Sequence, residues 1–138
     1  MKKLLFLFIA ILILLLACQN PDTLENEKDS SITGIVLPGD AQGTSGSIIV
    51  VAASTNELEN IDWSIRRDVI SRFGTYEINE LIGGKYYIAA FLDANRNDQL
   101  ERGEYWGGHD ANGDGRLDLV TVDGGKTLVQ DISFIEKY

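Results

Sequence analysis

From Ile32 onward the apolar and alternating segments are all short, and Gly, Pro, Asn or Asp breaks each of them. No long stretch repeats apolar residues at helical spacing. A chain patterned this way is pushed towards short strands joined by turns. Ile32 to Leu37 reads as a strand stopped by Pro38-Gly39-Asp40, and Gly43 to Gly46 is a turn of Gly, Thr and Ser. Ser47 to Ala53 is a near-continuous run rich in Ile and Val, as expected of a central strand buried on both faces. Thr75 to Leu81 alternates, Gly83-Gly84 turns the chain, and Lys85 to Leu92 is the next strand. Leu117 to Val122 follows, then a turn at Asp123-Gly124-Gly125, and Leu128, Ile132 and Phe134 mark a last strand. Asn56 to Ser71 fits neither period cleanly. A loop followed by a strand near Trp63 to Ile70 is the preferred reading, with a short helix as the alternative. About seven short strands at close spacing indicate an all-β fold, an antiparallel β-sandwich or barrel.

The N-terminal region has a different character. Lys2 and Lys3 precede an apolar run from Leu4 to Leu16, and Ala17 precedes Cys18, the only cysteine. A charged start, a short apolar stretch and a small residue before a cut are the marks of an export signal. The run of 13 residues is shorter than the roughly 20 helical residues that span a hydrocarbon core. Residues 1–17 are therefore expected to be a signal peptide. Residues 19–31 are polar and charged, a flexible tether. Residues 32–138 are expected to form one domain. The formal net charge of −9 becomes −11 after cleavage, because two lysines and no acid are lost. Such acidity argues against nucleic acid and anionic lipid headgroups as partners and favours cations, basic partners or neutral sugars.

The acidic stretch from Asp93 to Asp118 interrupts the strand pattern, and it carries the chemistry. With Asp93 at loop position 1, Asn95 falls at 3, Asn97 at 5, Gln99 at 7, Glu101 at 9 and Glu104 at 12. That is the oxygen spacing of a twelve-residue calcium loop, residues 93–104. Calcium is a hard cation that takes 6 to 8 oxygens, and alternate residues of a tightly curled loop point inward. Gln99 would offer its backbone carbonyl, Glu104 could chelate with both oxygens, and Leu100 at position 8 would point into the core. Asp98 stands at position 6, where Gly is usual and positive φ is needed, a conformation that Asp tolerates better than most residues. A second loop spans 110–121. Asp110, Asn112 and Asp114 take positions 1, 3 and 5, Gly115 takes 6, Arg116 takes 7 and Asp118 takes 9. Thr121 at position 12 cannot chelate with two oxygens, so Asp123 or a carboxylate of the first loop is the expected substitute. Magnesium demands a stricter octahedron and keeps its waters, and zinc lacks its usual Cys and His ligands. One or two calcium ions are the expected cofactor. An EF-hand needs flanking helices, whereas here strands flank the loops.

Three resemblances add to this reading. Leu15-Leu16-Ala17-Cys18 resembles the lipobox of bacterial lipoproteins. It implies that the Cys18 thiol receives a diacylglyceryl group and becomes the new N-terminus. Gln19 rather than Asp after the cysteine implies, by analogy with enterobacterial sorting, the outer membrane in a Gram-negative envelope. A lipidated Cys18 also leaves no thiol for a disulfide, so core or metal must stabilise the domain. Gly74-Thr75-Tyr76-Glu77-Ile78, Leu81 and Gly84-Lys85-Tyr86-Tyr87-Ile88-Ala89-Ala90 resemble prealbumin-like and carboxypeptidase-regulatory-like domains of secreted bacterial proteins, as does Asp123 to Phe134. That likeness covers most of residues 32–135 and implies a prealbumin-like or Ig-like sandwich. Phe91 to Glu104 is similar to the calcium loops of B-type repeats in Gram-positive surface adhesins. It implies ligands at Asp93, Asn95, Asn97 and Glu104. These families act as stalks, spacers or binding modules and rarely as enzymes.

The expected function is a lipid-anchored, extracytoplasmic calcium-binding module of the cell envelope, with a structural or adhesive role. The alternative is a carbohydrate- or protein-binding accessory module, with Trp63, Tyr105 and Trp106 as an aromatic platform. An enzyme is the least favoured class. His109, the lone histidine, has no Ser or Cys partner in the sequence. Asp93, Glu101 and Glu104 could form a glycosidase-like pair, but ligand spacing explains them better. No phosphate-cradling Gly loop or nucleophile motif is present.

Overall fold

The computed structural model describes residues 28–138. Cys18, the expected signal peptide and most of the expected tether lie outside the described residues. Among the described residues nine strands form: β1 Ser30–Leu37, β2 Ser47–Ala53, β3 Arg67–Ile70, β4 Gly74–Leu81, β5 Gly84–Asp93, β6 Tyr105–Gly108, β7 Leu119–Val122, β8 Thr127–Val129 and β9 Ile132–Lys137. The remaining regular structure is two three-residue 3-10 turns, Gly39–Ala41 and Leu58–Asn60. Between Asn56 and Ser71 the chain is a loop followed by a strand, and that strand begins only at Arg67.

All nine strands belong to one sheet, ordered β3-β2-β5-β6-β9-β1-β4, with β7 added to β5 and β8 added to β1. The fold is all-β, as expected, with the strands in one curled mixed sheet of nine rather than about seven antiparallel ones. The sheet is mixed, because β1 runs parallel to both β8 and β9. Those pairings join residues almost a hundred positions apart, which no local pattern announces. The sheet also curls so that its two ends, β3 and β4, come together. Asp68 staples that seam: its carboxylate accepts from the N–H of Val69 and the N–H of Glu77, both at 2.8 Å.

The curl creates two apolar layers. Inside it pack Val36, Ile48, Val50, Tyr76, Ile78, Ile88, Ala90 and Phe134. On the outer face of β2, β5 and β6 lie Ile49, Val51, Ala89, Phe91 and Trp106, covered by Ile61 and Leu117 with Leu58, Trp63 and Leu100 against them. β2, and β5 from Ile88 onward, are thus buried on both faces, which is why Ser47 to Ala53 reads as a near-continuous apolar run. Each fully buried Ile, Leu or Phe contributes roughly 1.5–3 kcal/mol relative to exposure. Tyr76 is buried with its hydroxyl donating to the Gln130 carbonyl, and burial pushes its ionisation well above the usual phenol range.

β6 is not evident from sequence. Its residues fall within the acidic stretch that interrupts the strand pattern, yet it forms the middle of the sheet. A Cβ on Gly107 would lie 2.1 Å from the Ser133 carbonyl oxygen, and one on Gly108 would lie 2.1 Å from that of Ile88. The glycines are there because β5 and β9 close in on both sides.

Candidate metal centre

Both acidic loops hang from β5. The first begins at Asp93, the last residue of that strand, and ends at Glu104, just before β6. The second begins where β6 leaves β5 and ends where β7 rejoins it. Its neck is closed by the Asp118 N–H donating to the His109 carbonyl at 2.8 Å. The position-8 residues of the two loops, Leu100 and Leu117, pack into the same outer apolar layer. Leu117 is 3% exposed. Packing at this position holds each loop against the sheet, with Leu117 buried and Leu100 half-buried.

The first loop curls around its own carboxylates. Asp93 accepts from the N–H of Asn97 at 3.1 Å and of Asp98 at 2.8 Å. Asn95 Oδ1 accepts from the Asn97 N–H, and Asn97 Oδ1 from the Gln99 N–H. Glu104 closes the ring, accepting from Ala94 N–H at 2.9 Å with one oxygen and Glu101 N–H at 3.0 Å with the other. Glu101 accepts from the Asn95 amide at 2.6 Å. Asp98 has φ 62, the left-handed conformation expected at position 6, and Arg96 at position 4 has φ 61.

The second loop repeats this pattern. Asp110 accepts from the N–H groups of Gly113, Asp114 and Gly115 at 2.7, 3.2 and 2.9 Å. Asn112 accepts from Asp114 N–H, and Asp114 from Arg116 N–H. Positions 4 and 6 again have positive φ, here on Gly113 at 73 and Gly115 at 81. The bond from Gly115, helped by those from Gly113 and Asp114, holds the Asp110 carboxyl below the usual carboxylate range. Asp118 accepts from the Ala111 N–H at 2.8 Å. That is the place Glu104 takes in the first loop, a carboxylate bonded to the N–H of position 2. Asp118 thus makes in the second loop the hydrogen bond that Glu104 makes in the first. Asp123 instead pairs with Lys126 at 3.1 Å in the turn after β7. Among the described residues no hydrogen bond joins the two loops.

Burial sharpens the electrostatics. Asp93 is 0% exposed and Glu104 8%, and they are the buried charged residues among those described. The ion pairs among the described residues are Arg67–Asp98 and Lys126–Asp123. Neither buried carboxylate has a cationic side chain as partner. Buried charges are ordinarily paired or bound to metal, because desolvating an ion is costly.

Among the described residues no group of three or more His, Cys, Asp and Glu side chains converges as a metal site. Part of the oxygen these loops present belongs to Asn side chains, which lie outside such a group, and backbone N–H groups occupy the carboxylates. Asp93, Asn95, Asn97, Gln99, Glu101 and Glu104 encircle one loop, and Asp110, Asn112, Asp114, Arg116 and Asp118 the other. Their carboxylates and Asn side-chain oxygens are hard ligands of the kind calcium takes, and Arg116 has only its backbone carbonyl to offer.

The three aromatics do not form one platform. Tyr105 and Trp106 are neighbours on a strand and so face opposite sides of the sheet. Tyr105 packs towards the inner layer, and Trp106 is 7% exposed in the outer one. Trp63 sits edge-on to Phe91 with ring centres 4.8 Å apart. Comparison with protein-family models, with curated proteins and with solved structures finds no match for this chain.

Proposed function

We propose that this protein is a calcium-stabilised β module, held in the cell envelope by lipid on Cys18, with a structural or adhesive role. The observation that carries the calcium reading is the pair Asp93 and Glu104, two buried carboxylates in one twelve-residue loop without a cationic partner. A divalent ion neutralises both and uses the side-chain oxygens already ordered around them. The second loop repeats the hydrogen-bond scheme with Asp118 as closing carboxylate. Extracellular modules typically bind calcium with Kd of about 10⁻⁴ to 10⁻³ M, so millimolar external calcium suffices. The lipobox-like sequence fits this reading, since it directs the domain to a compartment where calcium is plentiful.

The test is thermal unfolding with EDTA and then with calcium restored. Calcium should raise the melting temperature reversibly, and magnesium at equal concentration should do so less. An unchanged melting curve refutes the calcium reading. Radiolabelled palmitate on wild type but not on Cys18→Ala tests the anchor separately.

One observation favours a second reading, a binding module. Trp63 and Tyr138 line a cleft of about 370 Å³ together with Asp62, Asp98 and Gln99, beside the first loop. An aromatic edge among hydroxyl-bonding groups suits a neutral sugar. A glycan array with no hit that Trp63→Ala abolishes removes this reading.

A further inference from the structure

The chain has a net charge of −9, yet positive charge gathers in one place. A cleft of about 570 Å³ opens beside the seam between β3 and β4, lined by Lys28, Arg66, Arg67, Asn79, Glu80 and Tyr86 with a few neighbours. Three of the ten Lys and Arg that follow Cys18 are here. Glu80 is the one acid in the lining among the described residues.

Both walls carry backbone that L side chains rarely adopt. Arg66 has φ 45 and Glu80 has φ 58. The other two non-glycine residues of this kind, Arg96 and Asp98, sit in the first acidic loop. Left-handed backbone at residues with a Cβ persists only where the surroundings hold it, and it concentrates at binding sites.

Arg66 is fixed in place. Its Nε donates to the Ala52 carbonyl at 2.9 Å, and its guanidinium carbon lies 6.0 Å from the Tyr86 ring centre. Tyr86 is itself tied to the Ile82 carbonyl at 2.7 Å. The two terminal guanidinium nitrogens remain. Among the described residues neither they nor the Lys28 ammonium have a hydrogen-bond or ion-pair partner. Arg67 differs, since its guanidinium is engaged with the Trp63 carbonyl at 3.4 Å and Asp98 at 3.3 Å.

We propose that this cleft binds a phosphate group. The fork of Arg66, the Lys28 ammonium and the Asn79 amide offer more donors than the two oxygens of a carboxylate can use. A phosphate presents more acceptor oxygens, and planar Arg nitrogens match it in pairs. The overall acidity does not prevent this: Asp62, the acid that Arg66 acts on electrostatically, is engaged by Ser64, and acids farther off are screened beyond about 10 Å at ordinary salt. The phosphate can come from a soluble ligand or from a lipid headgroup. Lys28 is ten residues beyond Cys18, a span of at most about 35 Å, so a headgroup is within reach if Cys18 is lipidated.

The test uses the full chain in neutral detergent at low salt with EDTA present, which separates it from the calcium loops. Inorganic phosphate and glycerophosphoglycerol, the deacylated headgroup of phosphatidylglycerol, are titrated by calorimetry. Binding of at least one at millimolar concentration is expected. Arg66→Gln should weaken it roughly tenfold, as loss of a charged hydrogen bond does, and Lys28→Gln by a smaller factor. Lys85→Gln, outside the cleft, should leave it unchanged. Tighter binding of the phosphodiester assigns the site to a membrane surface, and tighter binding of inorganic phosphate assigns it to a soluble ligand. If Arg66→Gln fails to fold, Lys28→Gln, which lies outside every strand, carries the test. No heat from either anion, or equal affinity in wild type and Lys28→Gln, overturns the proposal.

Discussion

Replacing Glu104 by Ala separates what the first loop owes to its own hydrogen bonds from what it owes to calcium. The carboxylate is 8% exposed and accepts two backbone N–H bonds, from Ala94 at 2.9 Å and Glu101 at 3.0 Å. Leaving a buried donor unpaired costs about 1–3 kcal/mol. Ala94 and Glu101 are exposed residues, so water reaches their amides and the low end of that range, about 1–1.5 kcal/mol for each, applies. In EDTA, Glu104→Ala is therefore expected to lose about 2–3 kcal/mol for the two bonds. Calcium adds a second loss. With Kd of about 10⁻⁴ to 10⁻³ M, 10 mM calcium stabilises a single wild-type site by about 1.4–2.7 kcal/mol, and the variant should forfeit this. For a domain of this size about 1 kcal/mol moves the melting temperature by roughly 4 °C. The assay is circular dichroism melting of wild type and variant, each in EDTA and in calcium. The variant should melt roughly 8–12 °C lower in EDTA, and the gap should widen by a further 6–11 °C or so in calcium. A gap that is the same in both buffers refutes the claim that Glu104 binds the ion. A negligible gap in EDTA refutes the claim that its two hydrogen bonds hold the loop.

Three other expectations follow from the same geometry. Asp118→Ala should remove calcium from the second loop while Thr121→Ala should not, as counted by calcium titration; the reverse result would return the closing role to position 12. Arg96→Gly should stabilise the protein by roughly 0.5–1 kcal/mol in urea unfolding, because left-handed backbone costs a residue with a Cβ about 1–2 kcal/mol and glycine returns part of that gain as entropy. The Asp110 carboxyl is depressed chiefly by the Gly115 N–H, so its bonds contribute fully above the ordinary carboxylate pKa and are lost as pH falls through the lower folded value. The Gly115 amide resonance should therefore titrate below the ordinary carboxylate range, and Asp110→Asn should abolish that titration.

How much of this was legible depends on how local each cause is. The double burial of β2 and β5 is written in consecutive residues, Ser47 to Ala53 and Lys85 to Leu92, and both strands lie where the sequence puts them. The oxygen spacing of both loops is also local, and so is the positive φ at Asp98 and Gly115. The parallel pairing of β1 with β8 and β9 is not local, and neither is β6. Gly107 and Gly108 are required only because the backbones of β5 and β9 close in around them. Trp106 looked available to a ligand because its neighbours are polar, but strand geometry turns it into the outer layer. Asp118 was placed at position 9 by counting, while its closing role depends on the bond to Ala111, which counting cannot supply. The cleft at Lys28 and Arg66 had no signal at all, since its residues come from separated segments.

Calorimetric titration of calcium into the chelator-stripped full chain tests the central claim most directly, with Asp93→Ala and Asp110→Ala as controls. Two ions per chain should bind wild type, and each variant should keep one. Absence of binding to wild type at millimolar calcium, or unchanged stoichiometry and affinity in both variants, would contradict the account.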